Sequence, residues 1–201
     1  MDYIDNESGD IEVNEAIRKY KESEIYTYAD YEKWDDDNRY ELIDGHVYMM
    51  SAPSIEHQKI LVELIKQFAV FLTGKTCKVF AAPCNVCLNG KGDEEDTVVQ
   101  PDIFIVCDES KLDKKRCNGA PDMVIEILSP STSKMDLFVK LKKYQNAGVR
   151  EYWIADPEAK AVNVHILENG HYVIHPYESD ETITVTVLDG CTITLTDVFE
   201  Y

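Results

Sequence analysis

Two stretches decide the fold: Val98-Val99-Gln100-Pro101-Asp102-Ile103-Phe104-Ile105-Val106 and Met123-Val124-Ile125-Glu126-Ile127-Leu128-Ser129. Each sets one carboxylate among Val, Ile and Phe in a run that otherwise reads as a central strand. An acid in such surroundings is costly unless it is paired, hydrogen-bonded or bound to a metal. Two acids on neighbouring strands can face one cleft. They would then offer the oxygen ligands of a hard divalent cation, with positions open for water and a phosphate. Taken singly, each acid is better read as a sheet-edge residue or a helix cap; the pair, with a lysine-bearing helix beside it, reverses that preference.

The next element sharpens the choice. Asp136-Leu-Phe-Val-Lys140-Leu-Lys-Lys-Tyr144-Gln-Asn-Ala-Gly148 reads as a helix closed by glycine. Asp136, Lys140 and Tyr144 recur at i, i+4 and i+8 and share one face, while Leu137, Leu141 and Phe138 form the apolar one. Helical side chains lean toward the N-terminus. Lys140 is therefore expected to bring its ammonium within about 3–5 Å of Glu126, with Lys142 and Lys143 in solvent. The plain alternative is a surface pair between Asp136 and Lys140.

Outward from this centre, the chain alternates short strands with two longer helices. Arg39–Met50 reads as a hairpin around Asp44-Gly45, with further hairpins around Asn169-Gly170 and Asp189-Gly190. Ile60, Leu61, Leu64, Ile65, Phe68 and Leu72 form a helical stripe from Ser54 to Leu72. Thr27 is a cap for a helix carrying Tyr28, Tyr31 and Trp34. The expected class is α/β (α+β): one mixed central sheet flanked by helices, with an antiparallel hairpin extension. A single domain is expected over 26–201, behind an acidic extension at 1–25 that carries scattered apolar residues and reads as an amphipathic helix or a partner-ordered segment.

The 201 residues carry 20 Lys and Arg against 38 Asp and Glu, a net charge of −18. That total disfavours a simple basic nucleic-acid binder. Residues 111–150 reverse the sign, with nine basic against four acidic groups, and are the expected source of phosphate contacts. No apolar run approaches a membrane span, and MDYIDNESGD at the start resembles neither a signal nor a transit peptide, so the expected location is cytoplasmic. Six cysteines are then expected as reduced thiols, with melting indifferent to reductant. Cys84 and Cys87 form the one C-x-x-C, but no second ligand pair stands at zinc spacing. His171 and His175 on one strand would stand roughly 13 Å apart, at about 3.3 Å per residue.

Tyr40-Glu-Leu-Ile-Asp-Gly45, Gln100-Pro-Asp102, Pro121-Asp-Met-Val-Ile-Glu126-Ile-Leu-Ser-Pro-Ser-Thr132, Asp136, Lys140, Tyr144, Gly148-Val149 and Glu151-Tyr-Trp-Ile-Ala-Asp-Pro157, in that order, resemble the Uma-type restriction endonuclease family of the PD-(D/E)xK nuclease superfamily. The resemblance covers about residues 26–175. It implies a restriction-endonuclease-like core and Mg²⁺- or Mn²⁺-dependent hydrolysis of DNA phosphodiester bonds. By the same resemblance Asp102 and Glu126 are the catalytic and metal-binding acids, and Glu41 is a third metal candidate. Leu128 stands where the superfamily's usual lysine falls, so Lys140 is the expected replacement. His57 matches a position where the family tends to carry histidine, and a helix-start polar residue explains it as well. A homodimer is expected, since two strands need two sites. The competing reading is an inactive nuclease fold used as a binding or regulatory scaffold, which the acidic total favours because backbone affinity depends on counterion release.

Overall fold

The computed structural model describes residues 24–129 and 135–200, with the side chains of 135–137 outside that description. The apolar pattern of residues 1–23, most of the Ser-Pro-Ser-Thr loop, and the Asp136 and Leu137 side chains therefore lie outside the described residues.

The described residues open with a one-turn helix α1 (Tyr28–Tyr31). The Asp30 carboxylate reaches back to accept the Thr27 N–H at 3.1 Å, and the helix ends before Trp34. Strands β1 (Arg39–Ile43) and β2 (His46–Met50) form the first hairpin. Asp44 and Gly45 both take positive φ, 53° and 76°, as a two-residue turn of this hand requires. Helix α2 (Ile55–Leu72) follows, capped by the Ser54 hydroxyl, which accepts the His57 N–H. Then come β3 (Lys78–Ala81), β4 (Asn85–Cys87), β5 (Val98–Val99), β6 (Ile103–Val106), β7 (Arg116–Asn118) and β8 (Met123–Ile127). A π-helical turn, Met135–Lys140, leads into α3 (Leu141–Ala147). The chain ends with β9 (Glu151–Asp156), β10 (Ala161–Glu168), β11 (His171–Glu178), β12 (Thr182–Thr184), β13 (Thr192–Thr194) and α4 (Leu195–Phe199).

The mixed sheet is present, six-stranded in the order β11-β10-β9-β8-β6-β3. Its β8/β9 pair is parallel and its other pairs are antiparallel. A second sheet, β2-β1-β5-β4-β7, was not expected. It arises because the run 98–106 is two strands rather than one. β5 pairs with β1 and β4, β6 pairs with β3 and β8, and the chain changes sheets at Gln100-Pro101-Asp102. Pro101 has no N–H to give a ladder, so the break falls there.

Period-two alternation sorts the six-stranded sheet. Ile103, Ile105, Met123, Ile125, Ile127 and Trp153 pack on Ile60, Leu64 and Phe68 of α2. Phe104, Val106, Val124, Tyr152 and Ile154 face the other way, against Val86, Val99 and Tyr144. Glu126 shares the Val124 face and is thereby aimed at α3.

Four further expectations change. The third hairpin pairs only Thr182–Thr184 with Thr192–Thr194, leaving 185–191 as its connection. The 136–147 segment is α-helical only from Leu141. A π turn carries an extra residue, and the α-helical i, i+4 spacing holds from Lys140 to Tyr144. Lys143 is not in open solvent: it pairs with Asp44 at 2.5 Å, with a quarter of its side chain exposed. Cys77 and Cys107 are joined in a disulfide. They extend the β3/β6 register one step past Lys78↔Val106, so pairing of the strands brings the two sulfurs together. Cys84, Cys87, Cys117 and Cys191 are free thiols. Cys84 lies against the Tyr144 cluster and Cys87 packs with Tyr28 and Leu42.

Candidate active site

The antiparallel register Ile103↔Ile125, continued one step, sets Asp102 beside Glu126. The Asp102 N–H points at Glu126 Oε2 across 3.4 Å. Asp102 Oδ2 accepts the Ile127 N–H at 2.8 Å and contacts His57 Nε2 at 3.0 Å. Glu41 arrives from the other sheet: its Oε1 accepts the Gln100 N–H at 2.8 Å.

Lys140 stands between the two sheets' acids. Lys140 Nζ lies 3.0 Å from Glu126 Oε1 and 2.9 Å from Glu41 Oε1. All three side chains are at most 5% exposed, whereas that of Asp102 is 18% exposed. The Tyr144 hydroxyl adds a third bond, donating to Glu126 Oε1 at 2.7 Å. Burial, then the Glu126 and Glu41 charges, push this phenol well above its usual value, so it remains a donor. Buried carboxylates survive when their charge is matched and their lone pairs are satisfied, and Glu126 has both. Tyr144 closes the helix end as well, its carbonyl accepting from Gly148, which takes φ 87°.

These residues open into a cleft of about 100 Å³ lined by Asp102, Glu126, Lys140, His57, Arg39 and Ser129. A larger groove between α2 and α4, about 500 Å³ and lined by Ile55, Val62 and Asp197, contains none of the acids discussed. His57, whose functional and helix-start readings were equally open from sequence, has both features: its N–H is capped by Ser54 and its ring holds Asp102.

Among the described residues, no three His, Cys, Asp or Glu side chains form a ready-made metal cage. Mg²⁺ does not need one, since it is commonly held by one or two carboxylates with waters and substrate phosphate filling the rest. The donor set is compatible with that mode. Asp102 and Glu126 are adjacent hard-oxygen donors, the bonds of the Asp102 carboxylate to described residues run through Oδ2, and three acids against Lys140 leave local negative charge. The cleft also has room for an ion and water, which occupies roughly 30 Å³ per molecule.

Sequence reasoning passed over Arg39 and the side chain of Gln100. Arg39 Nε and Nη2 donate to Gln100 Oε1 at 3.1 and 2.9 Å. The available signal was spacing: Arg39 is two residues before Glu41 on one strand, hence on the same face. Within the basic segment 111–150, Lys140 lines the cleft and four other cations meet acids. Lys115 pairs with Glu32, Arg116 with Asp93, Lys143 with Asp44 and Arg150 with Asp122. Glu151, in the Glu-Tyr-Trp stretch, is a structural acid. It accepts from Trp153 Nε1 at 2.7 Å and from the Val187 N–H at 2.9 Å, tying β9 to the third hairpin connection.

Three comparisons bear on this geometry. An uncharacterised protein of Synechocystis is 25% identical over 164 residues, covering 77% of this chain and 81% of its own. A crystal structure from Anabaena variabilis, titled as "a putative nuclease belonging to DUF820", superposes with a TM-score of 0.68 at 20% identity, covering 86% of this chain and 97% of that one. That likeness establishes the fold. No helix among the described residues is long and apolar enough to cross a membrane. The family model described as "Uma2: Putative restriction endonuclease" matches residues 28–196, spanning both sheets and every acid of the cleft, and the chain belongs to that family.

Proposed function

We propose that the chain is a divalent-metal-dependent endonuclease that hydrolyses DNA phosphodiester bonds. The observation that supports this most is Lys140, buried between Glu126 and Glu41 in the cleft that Asp102 also lines. Asp102 and Glu126 would hold Mg²⁺ or Mn²⁺, with Glu41 completing the acid set from the second sheet. The ion, when bound, would polarise a phosphoryl oxygen and lower the pKa of a coordinated water. Lys140 orients the attacking water and offsets charge growing on the phosphate, as a preorganised cation in a dry site can. Tyr144 fixes the Glu126 rotamer. The His57 ring and the Ile127 N–H fix Asp102. A homodimer would supply the two sites that cutting both strands of a duplex requires.

The test combines Mn²⁺ calorimetry with nicking of supercoiled plasmid. Wild-type protein is expected to bind Mn²⁺ and to nick DNA with Mg²⁺ or Mn²⁺, and chelation should stop it. Asp102→Asn should lose nicking and weaken Mn²⁺ binding at least about tenfold, with its melting temperature retained. Unchanged Mn²⁺ affinity in that variant would sink the metal assignment. Metal binding without cleavage of any DNA tested would favour the scaffold reading.

A further inference from the structure

We infer that Arg39 is a phosphate-binding residue of this cleft, preset by Gln100, and that its ligand is a nucleic-acid phosphodiester next to the acid cluster. The inference rests on the nuclease reading of the same cleft and adds the group that would hold the substrate backbone there.

Arg39 lines the cleft with Asp102, Glu126 and Lys140. A guanidinium beside buried acids would ordinarily take a carboxylate, whose geometry matches its fork. Here both donors, Nε and Nη2, converge on the amide oxygen of Gln100. A neutral amide orients the guanidinium without neutralising it. The amide's own direction is set by its neighbours: Gln100 Nε2 donates to Asn85 Oδ1 at 3.0 Å and to the Tyr31 hydroxyl at 2.9 Å. The amide oxygen must face Arg39, because a guanidinium can only donate, and the nitrogen end is then left for Asn85 and Tyr31. Meanwhile the Gln100 backbone N–H holds Glu41. One residue thus ties the guanidinium's position to that of the acids.

The charges around it make the arrangement purposeful. Lys140 is matched by two carboxylates, and Lys115, Arg116, Lys143 and Arg150 each have an acid partner. A chain of net charge −18 repels a polyanion. Arg39 keeps its full charge in the cleft, with Nη1 outside the Gln100 contact and directed to no carboxylate among the described residues. Gln100 is accordingly a positioning residue, and Arg39 the one that touches phosphate.

The salt dependence of DNA binding tests this. A short fluorescent duplex is titrated with full-length protein in calcium, by anisotropy, over a series of KCl concentrations. Loss of one phosphate contact lowers the slope of log K against log salt by about 0.9. Arg39→Gln is expected to show that loss, with affinity down about tenfold at the lowest salt. Gln100→Glu should show the same loss with Arg39 intact, because a carboxylate in the amide's place neutralises the guanidinium. A merely structural role for Gln100 would not move the slope. If Arg39→Gln fails to fold, Gln100→Glu carries the test alone. Unchanged slopes in both variants, or no duplex binding by wild-type protein, would overturn the assignment. Slope loss without plasmid nicking would uphold the phosphate site and remove the nuclease reading. Nicking with unchanged slopes would do the reverse.

Discussion

Lys140 Nζ and Glu126 Oε1 are 3.0 Å apart and both nearly inaccessible to water, although one residue ends a π-helical turn and the other lies within a central strand. The pair answers the difficulty raised by an acid among Met123, Val124, Ile125 and Ile127. Its charge is met at once by the following helix, and Tyr144, one α-turn later, meets the same oxygen. Glu41, on the other sheet, takes the second side of the ammonium. The lysine therefore joins the two sheets electrostatically where their strands part.

Removing that ammonium leaves two buried carboxylates without a cation. Lys140→Ala is expected to lower unfolding free energy by about 3–5 kcal/mol, read from urea titration, and to lose nuclease activity. Lys142→Ala, on the exposed side of α3, should change stability by less than about 0.5 kcal/mol.

Tyr144→Phe removes a hydroxyl and nothing else. The lost bond goes to a carboxylate, so the expected cost is about 1.5–3 kcal/mol. Activity measured with Mg²⁺ should fall as well, because the Glu126 rotamer loses one of its fixed partners. A variant as stable and active as wild type would show that Lys140 alone positions Glu126.

Burial pushes the Cys87 and Cys117 thiols up to about 12. A group raised in the folded state contributes fully below its unfolded value and loses that contribution as pH climbs through the folded one. For these thiols the window opens near the ordinary thiol value of 9.0 and extends toward 12. Unfolding free energy should hold steady up to about that lower limit and then decline. Cys117→Ala should flatten the decline, which urea midpoints across the alkaline range would reveal.

The Cys77–Cys107 bond spans a sequence separation of 30. Chain entropy puts its contribution at roughly 3–4 kcal/mol. Reductant should lower the melting temperature, and Cys77→Ser should reproduce that loss while becoming insensitive to reductant. Identical melting with and without reductant would show that the β3/β6 pairing needs no crosslink.

Local pattern settled much of this protein. Asp44-Gly45 and Asn169-Gly170 dictated their hairpins, because two adjacent positive φ values admit few residue pairs. The stripe from Ile60 to Leu72 dictated α2 and its buried face. Acids at 102 and 126 stood out because apolar strands seldom carry them, and α-helical spacing placed Lys140 and Tyr144 together. The rest needed three dimensions. Pro101 disclosed a missing donor, but not that its flanks would pair in different sheets, since pairing depends on strands far away in sequence. Cysteine composition did not disclose that Cys77 and Cys107 would meet, because β3/β6 register brings them together. Charge counting over 111–150 did not disclose that Lys115, Arg116 and Lys143 pair with Glu32, Asp93 and Asp44, which lie in segments distant in sequence. A guanidinium held by a neutral amide sixty-one positions away leaves no trace in local sequence: hydrogen bonds of that range exist only once the chain has closed on itself.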